Sequence, residues 1–231
     1  MDIQLLKAMT AEALRAELRL KLDHLCRSGD AEDHARAGVR PRALPTGFAR
    51  LDAVLPGGGW PVGAITELMP ETQGIGELSL LMPALAELGR AGRYVLWIAP
   101  PCLPYPLALK RYGLALDYLL LVRTADTLTT LWAAEQALRC PAIGAVLAWP
   151  AVLDDRRVRR LQLAAETGGS CGLLYRPPNA AQQSSPAALR LRLHAVEAEP
   201  PTAAGLRVNI IKARGGRTHD LVVHPTAALC A

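Results

Sequence analysis

Two stretches of this chain carry residue types suited to phosphate chemistry. The first is Met69, Pro70, Glu71, Thr72, Gln73, Gly74, Ile75 and Gly76. A phosphate-gripping loop of the form G-x-x-x-x-G-K-[ST] needs glycines so that backbone N–H groups can close round the anion. It needs a lysine for the β and γ charges and a hydroxyl to hold magnesium. Gly74 keeps the second glycine, but Ile75 stands for the lysine, Gly76 for the hydroxyl and Met69 for the first glycine. An isoleucine set against a triphosphate leaves its charges without their main partner. The second stretch is Arg156, Arg157, Arg159 and Arg160, the densest positive cluster in the chain. Spread over little more than one helical turn, it suits nucleic-acid phosphates, with binding that ignores sequence and weakens with salt. The plainer alternative is a solvated helix face. Arg190 and Arg192 alternate with Leu189, Leu191 and Leu193 and share one strand face. They extend a basic stripe or keep a sheet edge soluble.

Other chemistries find little support. Cys26, Cys102, Cys140, Cys171 and Cys230 are odd in number and scattered, with no C-x-x-C pair, so neither a disulfide framework nor a zinc site is expected. His24, His34, His194, His219 and His224 lack ligand spacing, and no metal is expected. Ser170-Cys171 has no neighbouring histidine or aspartate to activate it, which argues against a hydrolase. Trp60, Trp97, Trp132 and Trp149 read as packing residues.

The elements that must position these residues follow from pattern. The chain has 231 residues, 51% hydrophobic and 20% charged, with a formal charge of +5. That suits one α/β domain with a small appendage and admits nucleic acid as a partner without requiring it. No run of 18 apolar residues suggests a membrane span, the first residues do not form a secretory signal, and a reducing cytoplasm is the expected compartment. Residues 3–26 read as an amphipathic helix and 27–43 as a polar linker. Strands are expected at 65–69, 94–99, 119–123, 143–148 and 171–175. Helices are expected at 76–91, 105–112, 127–140 and 154–167, the last with Gly168 as its C-cap. This alternation predicts a mostly parallel sheet flanked by helices. After a polar loop at 176–186, period-two segments at 188–196, 206–212 and 218–224 predict an antiparallel extension.

Residues 44–88, with Thr46-Gly47, Leu51-Asp52, Gly57 to Gly59 and Gly63 ahead of the loop, resemble the RecA family, as do the stretches around Tyr112-Gly-Leu and Val208-Asn-Ile-Ile-Lys212. The resemblance spans roughly residues 44–224. It implies a RecA-like α/β core, an N-terminal helix and linker over 1–43, and a RecA-like domain over 44–231. It also implies further losses: Trp149 stands where the family carries a magnesium-orienting aspartate, and Pro101 where it carries the catalytic glutamate. A degenerate site with no catalysis and no cofactor is therefore expected. Lys212 and Arg214 correspond to basic residues that reach phosphate or a neighbouring subunit. The loops after 143–148 and 171–175 correspond to DNA-facing loops.

Among RecA-like proteins without nucleotide machinery, the chain resembles the ImuA family in length, N-terminal helix and the block at 44–68. This implies a non-catalytic adaptor in SOS-induced mutagenic translesion synthesis. Its implied partners are ImuB, an error-prone replicative-type DNA polymerase and RecA, with direct DNA contact and self-association as further options. The first alternative is a SulA-like cell-division inhibitor, also RecA-like and damage-induced, which would bind the tubulin-like division protein. An ATP-using recombinase paralogue and a passive DNA-binding module are the others.

Overall fold

The short apolar runs are too brief for stable helices and too oily for exposure, so each is spent as a strand covered on both faces. The computed structural model describes residues 4–6, 10–27, 43–196 and 205–225. Its strands are β1 (Gln4–Leu6), β2 (Ala43–Leu44), β3 (Trp60–Pro61), β4 (Ala64–Pro70), β5 (Tyr94–Ile98), β6 (Leu119–Val122), β7 (Ile143–Ala148), β8 (Cys171–Tyr175), β9 (Leu189–Val196), β10 (Gly205–Ala213) and β11 (His219–Val223). β2 and β3 form a separate ribbon; the rest make one sheet in the order β1-β6-β5-β7-β8-β4-β9-β10-β11. Pairing is parallel from β1 through β9 and antiparallel across β9, β10 and β11. The protein is thus a mixed α/β fold with a mostly parallel central sheet and antiparallel C-terminal strands.

The helices are α1 (Ala11–Arg27), α2 (Ala49–Asp52), α3 (Met82–Arg90), α4 (Pro106–Arg111), α5 (Thr127–Arg139) and α6 (Asp155–Gly168). Alternate strand residues choose between two cores. Leu68, Trp97 and Leu121 pack with Leu51, Leu85 and Leu109 of α2, α3 and α4. Ile65, Leu96 and Val146 pack with Leu18, Leu138 and Val158 of α1, α5 and α6. Asp126 and Asp154 cap α5 and α6, accepting from the Thr129 and Arg157 N–H groups at 2.8 Å. α6 ends at Gly168, where a Cβ would collide with the Leu138 carbonyl; the left-handed cap is Gly169, at φ 64°. The cap therefore falls one residue later than the sequence predicts.

Four expectations are corrected. Residues 4–6 pair with β6 as a strand instead of joining the first helix. α1 buries Leu14, Leu18, Leu22 and Leu25, a stripe at spacings of four, four and three, while Leu20 is 70% exposed. The helix is therefore part of the core and not detached from it. It also brings Cys26 to Cys140, and the two are bonded as a disulfide with Cα atoms 6.3 Å apart. At a sequence separation of 114, no spacing rule announces that pair. Finally, the helix expected from residue 76 starts at Met82. Pro83 has no N–H and fits only the first turn of a helix, so a helix begun at 76 would carry it in its interior. Most of the linker (28–42) and the end of the tail (226–231) lie outside the described residues.

If α1 is core, Leu18→Ala should lower unfolding stability by about 2–5 kcal/mol, read from denaturant midpoints. An unchanged midpoint would mean that the helix is a detachable appendage.

Candidate functional site

In a parallel sheet, a crevice opens at the carboxyl ends of two neighbouring strands whose connections leave in opposite directions. Here β5 continues toward β6 and β7 toward β8, on opposite sides of their shared border. A cavity of about 510 Å3 opens at the carboxyl ends of β4, β5, β7 and β8, walled by Glu71, Glu77, Pro101, Trp149, Tyr175 and Arg176 among others. Three features singled out from the sequence thus meet at one place: the 69–76 loop, Pro101 and Trp149.

Inside this frame the loop does not have the build of a phosphate cradle. No helix opens from it; turns and bends occupy 71–81, so no helix N-terminus aims its N–H groups at the cavity. Gly74 and Gly76 are left-handed, at φ 84° and 96°. The Gly74 N–H donates to Oε1 of Glu77 at 3.0 Å, so a carboxylate of the chain sits where an anion would be received. Glu77 is 8% exposed, and its Oε2 is buried with no hydrogen-bond donor among the described residues. Ile75 packs against the apolar core. Two carboxylates at the cavity and no lysine in the loop do not fit a magnesium nucleotide, and no chemistry is routed through one.

The opposite wall is aromatic. The Trp149 and Tyr175 rings stack at 4.5 Å and 5°, and Trp97 meets Trp149 at 6.0 Å. Burial first, and the Glu77 charge second, push the Tyr175 hydroxyl well above its ordinary range and keep it neutral. Ala99, which also lines the cavity, is left-handed at φ 53°, a conformation that a residue with a Cβ adopts at a cost. At the other end of β8, Cys171 is buried, which pushes its thiol up to about 12. It stays protonated and is no nucleophile.

A buried ion cluster fixes the 176–190 segment beside the cavity. Glu67 on β4, fully buried, accepts from Arg176 at 2.9 Å, Arg190 at 2.7 Å and the Ser185 hydroxyl at 2.8 Å. Arg176 also donates to the Leu153 carbonyl and the Gln183 side chain, and Arg190 to the Ala180 and Gln183 carbonyls. Glu71 ties the loop to β9 through His194 Nδ1 at 3.0 Å and the Ala195 N–H at 2.7 Å. The His194 hydrogen bond, then that of Ala195, holds the Glu71 carboxyl below its ordinary 4.5.

The basic residues do not form one surface. Arg157 pairs with Asp154 and Arg160 with Glu135, leaving Arg156 and Arg159 exposed on α6. Arg190 is buried and spent on Glu67, so it does not form an open stripe with the exposed Arg192. Lys212 donates to the Ser185 carbonyl and Arg214 to that of Pro186. Burial first, then Arg190 and Arg214, lower the Lys212 ammonium below its ordinary range. Glu67, Glu77 and Tyr175 were not legible as site residues. A glutamate three residues past a loop glycine was the available signal for Glu77.

Comparison with known proteins agrees with a protein of this kind. The family profile described as "Cell division inhibitor SulA" matches residues 63–172, from the turn before β4 into β8. The SulA of Yersinia enterocolitica is 30% identical over 132 residues, covering 57% of this chain and 79% of that protein. The SulA of Photorhabdus laumondii is 31% identical over 51% of this chain and 68% of its own length, and that of Yersinia pestis 34% identical over 50% and 68%. The crystal structure of SulA from Pseudomonas aeruginosa is 29% identical, with a TM-score of 0.42, over 48% of this chain and 97% of that one. The chain belongs to the SulA family. It is a family of inhibitors, and the chain is not an enzyme.

These matches correct the resemblance to ImuA. Relatives described as cell division inhibitors overturn the role in translesion synthesis and mutagenesis, and with it ImuB, the error-prone polymerase and RecA as partners. The resemblance to ImuA rested in part on the block at 44–68, most of which lies ahead of the SulA match at 63–172.

Two measurements check the site's construction. Glu67→Ala leaves Arg176 and Arg190 buried without their anion and should cost about 3–5 kcal/mol in denaturant unfolding; a loss nearer ~1 kcal/mol, as for an exposed pair, would contradict the cluster's role. The Glu71 contribution is present above pH 4.5 and is lost as pH falls through its lower folded value. A carbon-detected titration should find its midpoint below 4.5 and see His194→Ala raise it; equal midpoints would dissolve the tie.

Proposed function

We propose that this protein is a non-catalytic inhibitor of cell division that acts by binding the tubulin-like division protein in the cytoplasm, as part of a damage-induced arrest. The observation that carries this reading is the 30% identity to a protein described as a cell division inhibitor, across 79% of that protein's length. The build of the cavity supports it too. A loop closed by its own carboxylate and walled by aromatic rings suits contact with protein better than turnover of a nucleotide. No described helix is long and apolar enough to cross a membrane.

RecA-like ancestry of the core belongs to the same proposal. A loop with Pro70, Glu71 and Gly74 at the carboxyl end of β4, ahead of a crossover helix, supports it. The division of the chain into an N-terminal element over 1–43 and a main unit over 44–231 belongs to the same proposal, with α1 packed into the core of the main unit. In this reading the 69–76 loop, Pro101 and Trp149 form the docking face, while Arg156, Arg159 and Arg192 are the cations left to meet an acidic neighbour.

Induced expression should give filamentous cells, and deletion should leave damage-induced mutation frequency unchanged. Cells of normal length on expression, together with a loss of mutagenesis on deletion, would overturn the reading.

A further inference from the structure

The cavity at the sheet's carboxyl edge has the opposite electrostatic sense to a nucleotide pocket. Glu71 and Glu77 both line it. Glu77 is more than nine-tenths buried, and one of its oxygens has no donor among the described residues. A buried carboxyl group with half its hydrogen-bonding capacity unused is costly unless a donor comes to it. Arg176 cannot serve as that donor, because its guanidinium is held by Glu67, Leu153 and Gln183. His194 faces Glu71 from β9, on the outer side of the loop. Across the cavity stands the stacked pair Trp149 and Tyr175, and aromatic faces attract cations. The hydroxyl of Tyr175 donates to the Glu77 carbonyl at 3.5 Å, which joins the aromatic wall to the acidic one.

We propose that this cavity receives the guanidinium of an arginine side chain presented by a protein partner, with Glu77 as its carboxylate and Trp149 and Tyr175 as its flat wall. Arginine fits better than lysine because a planar, weakly hydrated fork can lie on a ring and meet a carboxylate edge-on. A rotation about the last torsion of Glu77, a soft one, turns the idle oxygen to the ligand. A protein is the source, and not a free amine, because large apolar side chains a few residues along the chain from the lining are exposed. Leu103, Tyr105 and Val152 follow the lining residues Pro101 and Ala151, and all three are more than half exposed. An anchoring side chain ringed by apolar contacts is the usual anatomy of a binding hot spot. The proposal deepens the inhibitor reading and rests on it for the identity of the partner, but not for the chemistry of the pocket.

The test has two arms. In the first, N-acetyl-arginine amide and its neutral isostere N-acetyl-citrulline amide are titrated into the full chain while the Trp149 indole N–H resonance is followed. Saturable shifts with arginine, at least about tenfold weaker with citrulline and lost in Glu77→Gln, are expected. Equal responses to both compounds, or no saturable response at millimolar concentration, overturn the proposal. Glu77→Gln keeps an oxygen for the Gly74 N–H, and the citrulline comparison needs no mutation at all. In the second arm, the tubulin-like division protein is titrated against wild type and Glu77→Gln. A loss of about tenfold or more supports the proposal. Unchanged binding overturns the arginine pocket and leaves the inhibitor reading standing. No binding by wild type overturns the inhibitor reading, and the first arm alone then decides the pocket.

Discussion

One buried carboxylate organises the functional edge of this molecule. Glu67 lies in the middle of β4 with no exposed surface, and it is tolerable there because two guanidinium groups and a hydroxyl converge on it. Those three groups come from the segment that leaves β8 and returns as β9. A polar stretch of proline, glutamine and serine is thereby fixed against the end of the sheet. The wall of the cavity that contains Arg176 takes its position from this cluster. An apolar residue at 67 would leave two cations stranded.

Beside that cluster the loop after β4 is closed by the chain itself. Gly74 is left-handed, and its N–H is met by Glu77 of the same chain. The nearby turns end at Pro83, which sets where α3 can begin. The crevice at the switch between β5 and β7 is lined by two glutamates of the chain, Glu71 and Glu77.

Much of the fold could be read from the sequence because the signals were local and strong. Every core strand was an apolar run bounded by turns. The failures share a cause. Residues 4–6 look helical beside the leucines that follow them, and only the exposed edge of β6 makes them a strand. The Cys26–Cys140 pair and the Glu67 cluster join residues more than a hundred positions apart, and nothing in spacing reports that. At the site, the losses at Ile75, Gly76, Pro101 and Trp149 were legible as departures from a motif. The gain at Glu77 was not, since a glutamate past a loop reads as an ordinary surface residue until its burial is known. The choice of family was not legible either: the SulA profile matches from residue 63 onward, past most of the block at 44–68 that suggested ImuA.

The account stands or falls on the sign of the charge that this crevice accepts. Isothermal titration of the purified chain with magnesium-ATP tests it most directly. The account predicts no saturable heat at millimolar nucleotide. Saturable binding, with the phosphates lying over Gly74 and the Glu77 carboxylate displaced, would contradict it.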